Sequence, residues 1–212
     1  KGRGRFGRRW ASPPGGLWFS IILRPCLTRE DLQLLPLVAS LAVARTLSDL
    51  YGLNTELRWP NDVLINGRKV CGILVENFFS GEELLFSIVG IGINANFSLK
   101  ELPDEIRYEA TTLLEELNHK INREELLFSC LSSLRSYYEA LSRGERSALL
   151  EEVEEFMGFP ARVIILEGGL RFSGIALGLT GDGSLLVKLP DGAIKSFGPS
   201  STVRFWLRLK RT

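Results

Sequence analysis

The chain has 212 residues, 45% of them hydrophobic and 24% charged, with a formal net charge of +1. That make-up suits a folded globular protein and excludes a disordered chain or one that binds polyanions over its whole surface. Three widely spaced cysteines, Cys26, Cys71 and Cys130, argue against a disulfide framework or a zinc site. They read as small buried hydrophobes in a reducing, cytoplasmic setting. The single histidine, His119, lies in the polar stretch 118–122 and reads as a solvated loop residue. Histidine triads and multi-histidine metal sites are therefore not expected, and any chemistry falls to Lys, Arg, Asp or Asn. No uncharged apolar run reaches the roughly 20 residues that span a bilayer, and no signal-type apolar segment follows the basic N-terminus.

In chain order, Lys1-Gly-Arg-Gly-Arg-Phe-Gly-Arg-Arg-Trp10 comes first. Its glycines leave the backbone free to turn N–H groups toward an anion, and its guanidinium forks grip carboxylate or phosphate. The segment is either a mobile anion clamp or a solvated basic tail. Residues 17–23 read as a buried strand that Pro25 ends. A long apolar helix follows, with Pro36 in its first turn, an inner stripe of Leu37, Leu41, Ala44 and Leu47 or Leu50, and Gly52 as its stop. A strand meander comes next: 56–59, 63–65, the hairpin signal Asn66-Gly67, 68–76, a turn at Ser80-Gly81, and 84–93. Gly90 and Gly92 interrupt the last strand, marking either close approach by a ligand or a bend.

Residues 110–156 carry helical periodicity, with the stripe Leu126, Leu127, Cys130, Leu131, Leu134, Tyr138 and Leu141 running to Gly144. A shorter acidic helix starts at Ser147. After residue 157 the pattern changes to five short strands (162–167, 170–179, 184–189, 193–197 and 203–209) separated by glycine turns. They are expected to close a small accessory barrel without catalytic groups of its own.

The segment that best carries chemistry is Arg58-Trp-Pro-Asn-Asp62, followed by Lys69 beyond the hairpin. Pro60 fixes a rigid corner, and the tight hairpin is expected to return Lys69 beside Asp62. Carboxylate, amide and ammonium then face one spot, or else the segment is a plain Asn-Asp turn with a surface lysine. Gly90-Ile-Gly-Ile-Asn94 ends a strand with an amide able to read a base edge.

Taken in order, Gly2-Arg-Gly-Arg5, Ser12-Pro-Pro-Gly-Gly-Leu-Trp18, Trp59-Pro-Asn-Asp-Val63, Arg68-Lys-Val-Cys-Gly-Ile-Leu-Val-Glu76 and Gly90-Ile-Gly-Ile-Asn94 resemble the biotin–protein ligases, over nearly the whole chain. The resemblance implies an α+β fold, a mixed sheet flanked by helices over residues 1–157 and an SH3-like barrel over 158–212. It implies two half-reactions. Biotin and MgATP give biotinyl-5′-adenylate, and a lysine of a biotin carboxyl carrier protein or domain then displaces AMP. Lys69, Arg5 and Asp62 are the implied catalytic residues. Gly2, Arg3, Gly4, Arg5, Lys69, Gly72, Leu74 and Gly90 are implied for biotin. Arg5, Arg8, Trp10, Asn61, Lys69 and Asn94 are implied for ATP, with magnesium near Asn61 or Asp62.

Two departures stand out. Arg58 replaces the lysine usual in the family, a swap that keeps charge but not shape. The family also carries a strand, a helix and a Ser/Thr-rich motif ahead of the glycine–arginine loop, where this sequence starts. The implied type is the monofunctional one, without DNA binding or membrane attachment, and exposed strand edges suit a homodimer. Lipoate- or octanoyl-type enzymes share the same scaffold, and an impaired relative lacking the upstream segment is a further alternative. A nucleic-acid-binding module is disfavoured by the near-zero net charge.

Overall fold

The computed structural model describes residues 2–24 and 27–209. The readings placed on Lys1, Pro25 and Cys26 lie outside the described residues. Strands β1 (Gly2–Arg3) and β2 (Arg9–Trp10) pair antiparallel, so the basic segment forms a small hairpin. Phe6 and Gly7, with φ of 58° and 71°, make its turn.

Strand β3 (Leu17–Leu23) leads to helix α1 (Arg29–Tyr51). The helix begins earlier than expected because Thr28 and Asp31 form a capping box. Pro36 therefore lies inside the helix and not in its first turn. Leu37, Leu41, Ala44 and Leu47 are buried, whereas Leu50 is 36% exposed, so the inner stripe takes Leu47. Gly52 caps the end in the left-handed conformation, its N–H donating to the Ser48 carbonyl. By length and composition α1 is apolar enough to cross a membrane, but most of it is buried in the protein core.

Strands β4 (Thr55–Arg58), β5 (Asp62–Ile65), β6 (Arg68–Ser80) and β7 (Glu83–Ile93) complete a five-stranded sheet ordered β3-β7-β6-β5-β4. Its ladders are antiparallel, and among the described residues parallel pairing is confined to an isolated bridge between Lys69 and Ala110. Asn66 and Gly67 both take positive φ, 52° and 73°, as the hairpin signal requires. Strand β6 runs past Glu76 because Phe78 stacks on Phe86 across the pair, 4.7 Å between centroids.

The helical region is four helices: α2 (Asp104–Arg107), α3 (Leu113–Leu117), α4 (Arg123–Ser142) and α5 (Arg146–Met157). Left-handed Asn118 ends α3, and the Asn122 side chain caps α4 by accepting from the Glu124 and Glu125 N–H groups. Leu126, Cys130, Leu134 and Leu141 of the expected stripe are fully buried. Leu127, Leu131 and Tyr138 are half-buried at its edge, and His119 is exposed.

The C-terminal strands are β8 (Ala161–Glu167), β9 (Leu170–Leu179), β10 (Leu185–Lys188), β11 (Ile194–Phe197) and β12 (Thr202–Arg208). They form an antiparallel sheet ordered β11-β10-β9-β8-β12. Among the described residues no ladder joins β11 to β12, so the pairing is that of an open sheet where a closed barrel was expected. Strand β12 pairs along its length with β8.

The second sheet is locked to the first. Trp59, 1% exposed, donates its indole N–H to the Gly183 carbonyl at 2.9 Å. A Cβ on Gly183 would lie 2.7 Å from Leu34 and 2.9 Å from Leu37. Arg208 donates to the Met157 and Phe156 carbonyls.

Candidate functional site

A cavity of about 1090 Å3 opens between the N-terminal hairpin, one face of the central sheet, the 102–110 segment and β12. Its floor follows from strand register. Gly72 pairs with Gly92, Leu74 with Gly90 and Glu76 with Ile88 across β6 and β7, so these residues share one face. Val89, Ile91 and Ile93 point the other way, into the core. Trp18 and Ser20 of β3 continue the floor beside Gly92 and Gly90.

Simple alternation would bury Lys69 on the opposite face from Gly72. A β-bulge prevents that. Asp62 opposes Gly72 and Val63 opposes Cys71, but Leu64 opposes Lys69, which leaves Val70 as an extra residue. Val70 and Cys71 are both fully buried as a result, and Lys69 turns to the cavity face. The Lys69 backbone is then held on both sides. Its N–H donates to the Glu109 carbonyl at 2.7 Å, and its carbonyl accepts from the Thr111 N–H at 2.9 Å.

Asp62 sits between two cations. Lys69 Nζ is 2.5 Å from Oδ1, and Arg58 donates through Nε and Nη2 to Oδ2 at 3.3 and 2.8 Å. The guanidinium fork thus explains how arginine serves at position 58. Burial alone would raise the Asp62 pKa, but Lys69 and Arg58 together hold it below the usual carboxylate range. Both Asp62 oxygens face cations, so a magnesium ion there would share the carboxylate with Lys69 and Arg58. Among the described residues no group of three His, Cys, Asp or Glu side chains is placed to hold a metal.

Arg5 reaches the cavity from the hairpin. It donates to Asn61 Oδ1 at 3.3 Å, to the Ser201 carbonyl at 3.0 Å and to the Pro199 carbonyl. Burial pulls its pKa down and Asp62 partly restores it; it stays a cation at neutral pH. Asn61 in turn donates to the Ile73 carbonyl at 2.6 Å. Arg3 pairs with Glu76 at 3.1 Å, and Arg8 is exposed at the rim.

Trp10 lies flat on the glycine floor. A Cβ on Gly72 would come within 2.8 Å of its ring, and one on Gly92 within 2.8 Å of its Nε1. Its ring meets Trp18 edge-on at 6.1 Å and lies 5.1 Å from Lys69 Nζ. The Trp10 N–H is buried without a hydrogen-bond partner. Asn94, 4% exposed, spends both amide hydrogens on the Lys69 and Thr111 carbonyls, leaving only Oδ1 open.

The structure brings Gly2, Arg3, Gly4, Arg5, Arg8, Trp10, Asn61, Asp62, Lys69, Gly72, Leu74, Gly90 and Asn94 around one cavity. Gly92, read from the sequence with Gly90 as a mark of close approach but not assigned to the ligand, floors the slot beside it. Sequence reasoning also left out Trp18 and Ser20 of the floor and the Glu109 and Thr111 backbone groups that hold Lys69. Glu76 and the Pro199–Ser201 carbonyls gave no local signal, because they act through contacts with a distant loop.

A flat slot floored by glycine with fixed cations at one end defines a site for a ligand with a compact apolar body and an anionic group. The comparisons with known proteins agree with that class. The profile described as the Biotin/lipoate A/B protein ligase family matches residues 1–94. The biotin–[acetyl-CoA-carboxylase] ligase of Paracoccus denitrificans is 32% identical over 90% of this chain and 81% of its own length. The solved biotin protein ligase of Aquifex aeolicus in complex with biotin and ATP is 32% identical, with a TM-score of 0.80 over 95% of this chain and 84% of that one. The bifunctional ligase/repressor BirA of Bacillus subtilis is 35% identical over 92% of this chain, but this chain spans only 61% of its length. The chain belongs to the biotin–protein ligases of this family.

Proposed function

We propose that the protein is an ATP-dependent biotin–protein ligase. The observation that carries the reading is the convergence of Lys69, from β6, and Arg5, from the N-terminal hairpin, on one glycine-floored cavity. In the first half-reaction the biotin carboxylate oxygen attacks the α-phosphorus of ATP. The P–O bond to the β,γ-phosphates breaks and pyrophosphate leaves. Two anions must meet, so cations fixed before the reaction lower the barrier without reorganising during it. Lys69 bridges the carboxylate and the α-phosphate. Arg5 takes the phosphate with the N–H groups not already spent on carbonyls. Gly72, Leu74 and Gly90 admit the ring system, and Gly2, Arg3 and Gly4 close over it.

Trp10 and the free Oδ1 of Asn94 face the adenine end, with Arg8 at the triphosphate end. Magnesium would enter with the nucleotide and neutralise phosphate charge; Asn61, whose Oδ1 accepts from Arg5 at 3.3 Å, would lie beside it. In the second half-reaction a lysine amine of the acceptor attacks the acyl carbon, AMP leaves and an amide forms. The hairpin shields the mixed anhydride from water meanwhile. Asp62 holds Lys69 in place. We divide the chain into a catalytic unit, 1–157, and an accessory unit, 158–212, of SH3-like type, supported by its five short antiparallel strands.

The acceptor is a biotin carboxyl carrier domain, as the name of the Paracoccus relative suggests. A lipoate-type reading draws support only from the breadth of the family profile. Incubation of the protein with biotin, MgATP and a carrier domain is expected to give acceptor carrying biotin on one lysine. Labelling by lipoate but not by biotin would overturn the assignment.

A further inference from the structure

The C-terminal sheet does more than pack against the catalytic face. Arg5 spends one guanidinium nitrogen, Nη2, on the carbonyls of Pro199 and Ser201, in the turn just before β12. Ser201 is fully buried, and its hydroxyl donates to Glu167 Oε1 at 2.8 Å. The other Glu167 oxygen accepts from Lys195 Nζ at 2.8 Å. Lys195 is itself held over the rings of Phe172 at 3.9 Å and Phe197 at 4.7 Å. A continuous chain of bonded groups therefore runs from Lys195 and Glu167 of the second sheet, both half-buried, to the cation of the hairpin.

We propose that Glu167 is a positioning residue that acts through Arg5. It fixes Ser201, and the Ser201 carbonyl sets where the guanidinium and its hairpin sit over the cavity. The inference rests on the ligase reading for its catalytic consequence, but the mechanical link from Glu167 to the hairpin does not depend on it. Residues 199 and 201 lie in a turn whose carbonyl directions are not fixed by a ladder, so an anchor on the Ser201 side chain has a definite task. Three of the five Arg5 N–H donors are committed to Asn61, Pro199 and Ser201, and those that remain are aimed by the bonds already made.

Two measurements test this. In the ligand-free protein, trypsin cleavage within residues 3–9 reports hairpin release. Glu167→Ala and Ser201→Ala are each expected to speed it about fivefold, the loss of one net hydrogen bond, while Glu167→Gln, which still accepts from Ser201, stays near the wild-type rate. In biotin-dependent ATP–pyrophosphate exchange, Glu167→Ala is expected to raise the KM for ATP about fivefold with kcat less affected, and to have no further effect in an Arg5→Ala background. Unchanged cleavage in both variants overturns the proposal. So does a Glu167→Ala effect of equal size with and without Arg5. Absence of exchange in the wild-type protein contradicts the ligase reading instead, and the cleavage rates then decide the link by themselves.

Discussion

Lys69 and Arg5 deliver positive charge to the same cavity by opposite means. Lys69 stands on a central strand, aimed by a bulge, with its backbone bonded to Glu109 and Thr111 and its ammonium against Asp62. Its backbone cannot shift without disturbing the sheet. Arg5 stands on a hairpin whose two strands have two residues each, and its position depends on side-chain bonds to Asn61 and to the C-terminal sheet. In the proposed mechanism Lys69 is the preorganised charge that catalysis needs and Arg5 the one that closes after ligand entry.

The largest effect is expected from Lys69→Ala. It removes the fixed charge and is expected to slow adenylate formation by about 10^2- to 10^3-fold, the scale of losing one preorganised group, measured by single-turnover kinetics. Gly92→Ala tests the floor. Its Cβ falls 2.8 Å from Trp10 Nε1, so the ring must lift. Ligand affinity, read by calorimetry, is expected to fall on the order of tenfold or more, because close-packed neighbours cannot absorb the added methyl. Arg5→Ala attacks the closable side. Its expected mark is a rate loss of about tenfold, smaller than that of Lys69→Ala, together with escape of the adenylate into solution, because a lost charged hydrogen bond is worth about 1.5–3 kcal/mol.

The smallest effect concerns the fixed side again. The Asp62 pKa lies below its unfolded value, so its ion pairs contribute stability above the unfolded carboxylate range, near 4, and lose it as pH falls through the lowered folded value. The gap in denaturation midpoint between the wild type and Asp62→Asn is expected to be constant from neutral pH down to mildly acidic pH. It is expected to close only in acid.

The two sides were also unequally legible in the sequence. The Asp62–Lys69 pair was readable because Asn66-Gly67 brings its partners together over a few residues. The reason it faces the cavity was not readable: a bulge at Val70 depends on what the neighbouring strand buries. The alternating Gly90 and Gly92 announced close approach, but only register with Gly72 and Leu74 shows which face is open. The hairpin was ambiguous between clamp and tail because its anchors, Pro199 and Ser201, lie at the other end of the chain. Pro36 misled for a simple reason: the box at Thr28 and Asp31 fixes the helix start, and proline was then carried into the interior. The five C-terminal strands followed from their glycine turns, but closure of the sheet is a matter of tertiary pairing.

The most direct test is a single turnover with biotin and MgATP and no acceptor, with bound and free biotinyl-5′-adenylate counted by mass spectrometry. The wild-type protein is expected to hold about one adenylate per chain, Lys69→Ala to form almost none, and Arg5→Ala to form it and release it. Adenylate formed by Lys69→Ala at the wild-type rate, or retained as tightly by Arg5→Ala as by the wild type, would contradict the division between a fixed charge and a closable one.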